Sequence, residues 1–115
     1  MGGMHSPIQQ QIIDQVLHVV EQARPLVETV ARRDRDLGSQ IRRALSSVAL
    51  NIAEGFGSGA GNARLRFDTA RGSLYEAQAG LRLGVAWGYL SAEQCEPLLA
   101  VIHRLGGRIY GLSRR

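Results

Sequence analysis

Apolar residues recur along most of the chain at intervals of three and four, the spacing that gathers side chains on one face of an α-helix. Four segments carry the pattern. The first places Ile8, Ile12, Val16, Val19, Ala23, Val27 and Val30 on one stripe, widened by Ile13, Leu17 and Val20. It begins at Ser6-Pro7, a hydroxyl cap followed by a proline at the first helical position. Pro25 falls inside the segment, removes a backbone donor and predicts a kink. The charged run Arg32-Arg33-Asp34-Arg35-Asp36 ends this helix in a short turn. The second segment, from about Asp36 to Gly55, aligns Leu37, Ile41, Ala44, Leu45, Val48 and Ile52, with Phe56 just beyond. The third, from about Ala63 to Trp87, aligns Phe67, Ala70, Leu74, Ala77, Leu81, Val85 and Gly88. The fourth opens on the capping box Ser91-Ala92-Glu93-Gln94 and continues through Cys95, Leu98, Leu99, Ile102, Leu105, Ile109 and Leu112. Pro97 is expected to bend its start.

No segment reads as a strand, so the expected fold is all-α, an antiparallel up-down-up-down four-helix bundle. Residues 1–6 read as a disordered lead and residues 7–115 as a single domain. The glycine-rich run from Gly55 to Asn62 is not a phosphate loop, because no Gly-Lys-Ser/Thr follows and no strand precedes it. It reads as a flexible link closed by Asn62 as an N-cap.

Two polar-apolar arrangements go beyond a plain bundle. The third helix is apolar on a second side, through Leu65, Gly72, Ala79, Leu83 and Trp87, with Gly80 and Ala86 on the shoulders. A helix with two apolar sides in so short a chain is expected to be buried twice, once in its own bundle and once against another copy. The second helix carries Arg43, Ser47, Asn51 and Glu54 on one narrow face beside its apolar stripe. A guanidinium, a hydroxyl, an amide and a carboxylate can satisfy one another if a neighbouring helix covers them. Ser73 and Glu76 on the third helix are the expected partners, so these six residues read as a structural polar network between helices two and three.

Composition changes this picture little. The 115 residues are 44% apolar but only 5% aromatic, which calls for an aliphatic core. The net charge is +4, and all 14 basic residues are arginine. Arginine forks onto phosphate as well as carboxylate. Candidate nucleic-acid contacts are therefore Arg32, Arg33, Arg35, Arg42, Arg64, Arg66, Arg71 and Arg82, of which Arg64, Arg71 and Arg82 share one side of the third helix. The single Cys95 excludes an internal disulfide and reads as a packed core thiol. Glu54 and Glu76 have no histidine at ligand spacing, and the histidines are dispersed. No catalytic residue, cofactor or metal is expected. No apolar run approaches the roughly 20 residues of a membrane span, so a cytoplasmic protein without a membrane partner is expected.

A resemblance sharpens the expectation. Arg42-Arg43-Ala44, Ser47, Asn51-Ile52-Ala53-Glu54-Gly55, Arg66-Phe67, Ala70, Gly72-Ser73-Leu74-Tyr75-Glu76 and Gly88-Tyr89-Leu90 resemble the four-helix-bundle proteins encoded in intervening sequences of bacterial 23S ribosomal RNA genes. That family includes the accessory variability determinant of diversity-generating retroelements. The resemblance runs from about Ile8 to Leu112. It implies a bundle assembling as a ring, typically a homopentamer. It also implies a nucleic-acid-binding accessory role in RNA or DNA transactions, with a reverse transcriptase as a protein partner. The alternative is a protein-interaction scaffold that binds no nucleic acid.

Overall fold

A computed structural model describes residues 6–114. Four helices account for nearly all of them: α1 (Pro7–Arg33), α2 (Arg35–Phe56), α3 (Ala60–Ala86) and α4 (Ala92–Ser113). There is no strand among the described residues. Each helix packs on two others, α1 on α2 and α4, and α3 on α2 and α4, with the α2–α3 contact the most extensive. The result is a four-helix bundle measuring 44 × 25 × 23 Å. Its long dimension is close to the roughly 40 Å that a 27-residue helix spans.

The stripes read from the sequence close on one another as a single aliphatic core. Ile12, Val16, Val19, Val30, Ile41, Val48, Ile52, Leu74, Leu81, Leu98, Ile102, Leu105 and Ile109 are almost completely buried. Ile8 and Leu17, placed on or beside the first stripe by spacing, are exposed instead. Ile8 lies in the first turn of α1, and Leu17 points away from the α1 core line of Val16 and Val19. Cys95 is buried, and burial pushes its thiol pKa up.

The helix ends follow local chemistry. Ser6 accepts from the Gln9 N–H at 3.2 Å, and the Gln9 side chain accepts from the Ser6 N–H, so Ser6 caps α1. The remainder of the expected lead, residues 1–5, lies outside the described residues, as does Arg115. Ser91 and Gln94 form the same reciprocal cap on α4. The link from α1 to α2 is Asp34 alone. Its N–H donates to the Val30 carbonyl at 2.7 Å, and its carboxylate accepts from the Leu37 N–H at 3.0 Å. One residue thus ends α1 and starts α2, one turn-residue earlier than the expected Asp36.

Helix α3 also begins earlier than expected. Gly59, extended at φ −66° and ψ 163°, is its N-cap, and Asn62 lies within the first turn. An amide at a typical cap position did not stop the helix, because the backbone of Ala60–Asn62 continues in helical geometry. At the other end, Gly88 takes φ +84°, the Gly88 N–H reaches the Val85 carbonyl at 3.0 Å and the Tyr89 N–H reaches the Gly84 carbonyl at 2.8 Å. This paired closure requires a left-handed residue, which glycine supplies without strain. Helices α1 and α4 run through Pro25 and Pro97 without a break. The carbonyls that lose a donor belong to Glu21 and Glu93, both exposed, where water can take its place.

Candidate functional site

The polar face of α2 meets α3 in a chain of hydrogen bonds. Ser47 Oγ and Ser73 Oγ lie 2.8 Å apart across the two helices. Asn51 Nδ2 donates to the Ser47 carbonyl at 2.9 Å and to Ser47 Oγ at 3.1 Å. Arg66 extends the chain, donating to Asn51 Oδ1 at 3.5 Å and pairing with Glu54 at 3.1 Å. The sequence places Ser47, Asn51 and Glu54 one turn apart on α2, and Arg66 and Ser73 two turns apart on α3, so both rows face each other. Gly80 lets the helices approach closely here: a Cβ at that position would stand 2.6 Å from Ile41 Cγ1.

Two expected members are absent from this network. Arg43 and Glu76 are exposed and make no hydrogen bond or ion pair among the described residues. They lie toward the outer side of the α2–α3 seam, whereas Arg66 reaches Glu54 across it. Arg66, read as a nucleic-acid contact, pairs with Glu54 within the chain, and both side chains stay about half exposed. Replacing Ser47 by alanine is expected to cost about 1 kcal/mol, because Ser73 loses its partner in a half-buried site. The Ser47→Ala/Ser73→Ala double variant is expected to lose less than the sum of the two single losses. Urea unfolding of the four proteins of this cycle measures that coupling.

The other arginine candidates do not form one patch in the single chain. Arg32, Arg33 and Arg35 cluster at the α1–α2 link, where Arg32 donates to Thr29 Oγ1 at 3.2 Å and Arg33 sits 5.5 Å from the Tyr89 ring centre. Tyr89 donates to the Asp34 carboxylate at 3.2 Å; its partial burial, then this bond, raises the phenol pKa. Arg42 lies in the groove between α1 and α2 beside Glu21, Arg24 and Glu28. Arg64 lies near the opposite end, beside Gly55 and Phe56. Arg82 lines the α3–α4 groove with Cys95 and Glu96. Arg35, Arg42, Arg64 and Arg82 make no hydrogen bond or ion pair among the described residues.

Arg71 has a different setting, with a feature the spacing did not reveal. Its guanidinium carbon lies 4.7 Å from the Tyr110 ring centre and 5.3 Å from that of Tyr75. Arg114 sits 4.7 Å from the same Tyr110 ring. Tyr75 and Tyr110 are both partly exposed. In the sequence the signal was the four-residue step from Tyr110 to Arg114 and from Arg71 to Tyr75, which puts each pair on one helix face. Proximity of α3 to α4 then merges the two pairs.

The second apolar side of α3 is solvent-facing in the single chain. Leu65 is 61% exposed, Leu83 46% and Trp87 65%, with Gly72 and Ala79 exposed between them. Leu50 of α2, 63% exposed, adds to the apolar surface and was missed. Its register with Arg43, Ser47 and Glu54 was the available signal.

The family model for the 23S rRNA-intervening sequence protein matches residues 8–111, from the first turn of α1 to the last turns of α4. The chain belongs to that family. Comparison with curated proteins and with solved structures finds no match. In this member of the 23S rRNA-intervening sequence family, the matched span contains the whole Ser47–Ser73 and Glu54–Arg66 seam, but Arg114 lies outside it. Among the described residues no group of three or more His, Cys, Asp or Glu side chains is placed to hold a metal ion, and His18 and His103 are exposed on different helices. No helix of the described residues is long and apolar enough to cross a membrane.

Proposed function

We propose that this protein is a non-enzymatic accessory factor that binds RNA or DNA as a homo-oligomer. Its helices alternate up and down, and the outer face of α3 is buried against a neighbouring copy in a closed ring, most simply a pentamer as in the resemblance described above. The observation that carries the reading is the exposure of Leu65, Leu83 and Trp87 on one side of a helix whose other side is core. Arg43 and Glu76, unpaired on the same α2–α3 surface, supply opposite charges that could meet across a subunit boundary. Ring closure would repeat the unpaired Arg35, Arg42, Arg64 and Arg82 around the assembly and concentrate positive potential.

Fluorescence anisotropy with a labelled 20-nucleotide RNA and the matching DNA duplex tests the nucleic-acid part. Binding is expected at 50 mM salt and is expected to weaken steeply as salt rises, by about 0.7–0.9 in log-log slope for each phosphate contact. An assembled protein that retains neither probe at 50 mM salt would sink the reading. The apolar surface of Leu50 and Trp87 favours a second reading, a scaffold for a protein such as a reverse transcriptase. Nuclease-resistant association with one defined protein, without affinity for either probe, would select it.

A further inference from the structure

The cluster of Arg71, Tyr75, Tyr110 and Arg114 joins α3 to the end of α4. Both guanidinium carbons stand 4.7 Å from the centre of one phenol ring. Stacking on an aromatic face orients a guanidinium while leaving its in-plane N–H groups free to donate. Neither arginine forms an ion pair with a carboxylate among the described residues. Asp68 is the acidic residue near Tyr110 and Arg114, and it pairs with neither. Arg71 Nε is buried and has no hydrogen-bond partner among the described residues. A covered, unmatched donor of a charged group is uncommon in a folded protein, and the terminal N–H groups of Arg71, which make no hydrogen bond or ion pair among the described residues, are the ones that can meet an acceptor from outside. The surroundings leave room: a Cβ added at Gly107 or at Gly111 on α4 would meet nothing within 4 Å. The phenol of Tyr110 is held below its usual pKa, first by a hydrogen bond with the Arg114 guanidinium, then by the charge of Arg114 and, less, of Arg71, against burial and the Asp68 carboxylate.

We propose that Arg71 and Arg114, aligned on Tyr110, form a phosphate-binding site at the α3–α4 end of the bundle. Two guanidinium groups that share one ring can reach adjacent phosphates of a chain. A terminal phosphate or pyrophosphate carries more charge and more acceptor oxygens than a carboxylate, which favours phosphate as the ligand. The site itself rests on the geometry above; only the identification of its phosphates with a nucleic-acid backbone rests on the function proposed in the preceding section.

The test uses the full chain, with Arg114→Gln as the main variant, because Arg114 is exposed at the end of α4 and its loss leaves the core untouched. Arg71→Gln is the second, and His103→Gln, at an exposed position of α4 outside the cluster, is the control; circular dichroism checks folding of each. The probes are the 20-nucleotide RNA, pyrophosphate and polyglutamate of matching charge. The expected result is that Arg114→Gln and Arg71→Gln each weaken RNA binding roughly tenfold and lower the salt slope by about 0.7, while His103→Gln binds as the wild type does. Wild-type RNA affinity in both glutamine variants would overturn the site and leave the nucleic-acid function standing. If the wild type binds no RNA, shifts of the tyrosine ring signals in NMR on adding pyrophosphate, lost in Arg114→Gln, would uphold the site with free phosphate as its source. Absence of those shifts as well would overturn it. Equal or tighter binding of polyglutamate would overturn phosphate selectivity in favour of an acidic protein.

Discussion

Gly72→Arg is expected to release the proposed assembly into single chains of 12.5 kDa without unfolding them. The argument rests on what surrounds this position. A Cβ at Gly72 would meet nothing within 4 Å, so the isolated bundle has ample room for a long side chain. Arginine is also a better helix former than glycine, by about 0.8 kcal/mol, which favours α3 in the single chain. A neighbouring copy packed on Leu65, Gly72, Ala79, Leu83 and Trp87 would instead face a large charged group at the middle of its contact. Burying that charge without a partner costs several kcal/mol, enough to shift a micromolar association beyond reach. Light scattering coupled to size exclusion measures the mass, and circular dichroism measures the helix content. A variant that keeps the wild-type mass would show that the outer face of α3 is not the contact. A wild-type protein that is itself monomeric at micromolar concentration would remove the assembly altogether.

Gly80→Val is expected to show the opposite behaviour, a loss of stability that begins inside the chain. The new Cβ would fall 2.6 Å from Ile41 Cγ1 and 3.3 Å from its Cδ1, and Ile41 is fully enclosed by the core. A buried isoleucine cannot swing away as an exposed lysine could, so α2 and α3 must separate or Ile41 must leave its rotamer. Overpacking of this kind costs about 1–3 kcal/mol, and the β-branched side chain adds strain to the helix. Separation of α2 from α3 would also stretch the Ser47–Ser73 hydrogen bond. The matched control is Gly107→Ala on α4, where the added methyl group meets open space. That change is expected to raise stability by up to about 1 kcal/mol through backbone entropy alone. Thermal melts at one fixed protein concentration compare the three proteins, because association makes the midpoint depend on concentration. Equal midpoints for Gly80→Val and the wild type would refute the close approach of α2 and α3.

The core was legible because it is aliphatic and periodic. Val16, Val19, Ile41, Val48, Leu74, Leu81, Ile102 and Ile109 announce their faces through spacing alone, and each is buried. Helix ends were less legible, because they depend on individual backbone angles. Asn62 carries the side chain of a cap yet lies within the first turn, while Gly59, with no side chain to bond, is the residue that turns extended. The α2–α3 seam was legible as a pair of facing polar rows but not in its pairings. Arg43 shares the helix face of Glu54 but lies about 16 Å from it along the α2 axis, and only the packing of α3 on α2 brings Arg66 to that carboxylate. The same holds for Tyr110, whose two arginine neighbours come from different helices. Periodicity describes each helix about its own axis and is silent on the angle between axes.

Asp34 has one further consequence. Its backbone closes α1, one carboxylate oxygen opens α2, and the other receives the Tyr89 hydroxyl from the α3–α4 link. Two junctions, α1–α2 and α3–α4, therefore meet at a single residue at one pole, with no slack residue between the first two helices. The opposite pole is joined by Gly57, Ser58 and Gly59, where an added Cβ at Gly59 meets nothing. The molecule is thus clamped at one end and slack at the other. Lengthening of the chain, or attachment of a probe, is accommodated at the Gly57–Gly59 pole and resisted at Asp34.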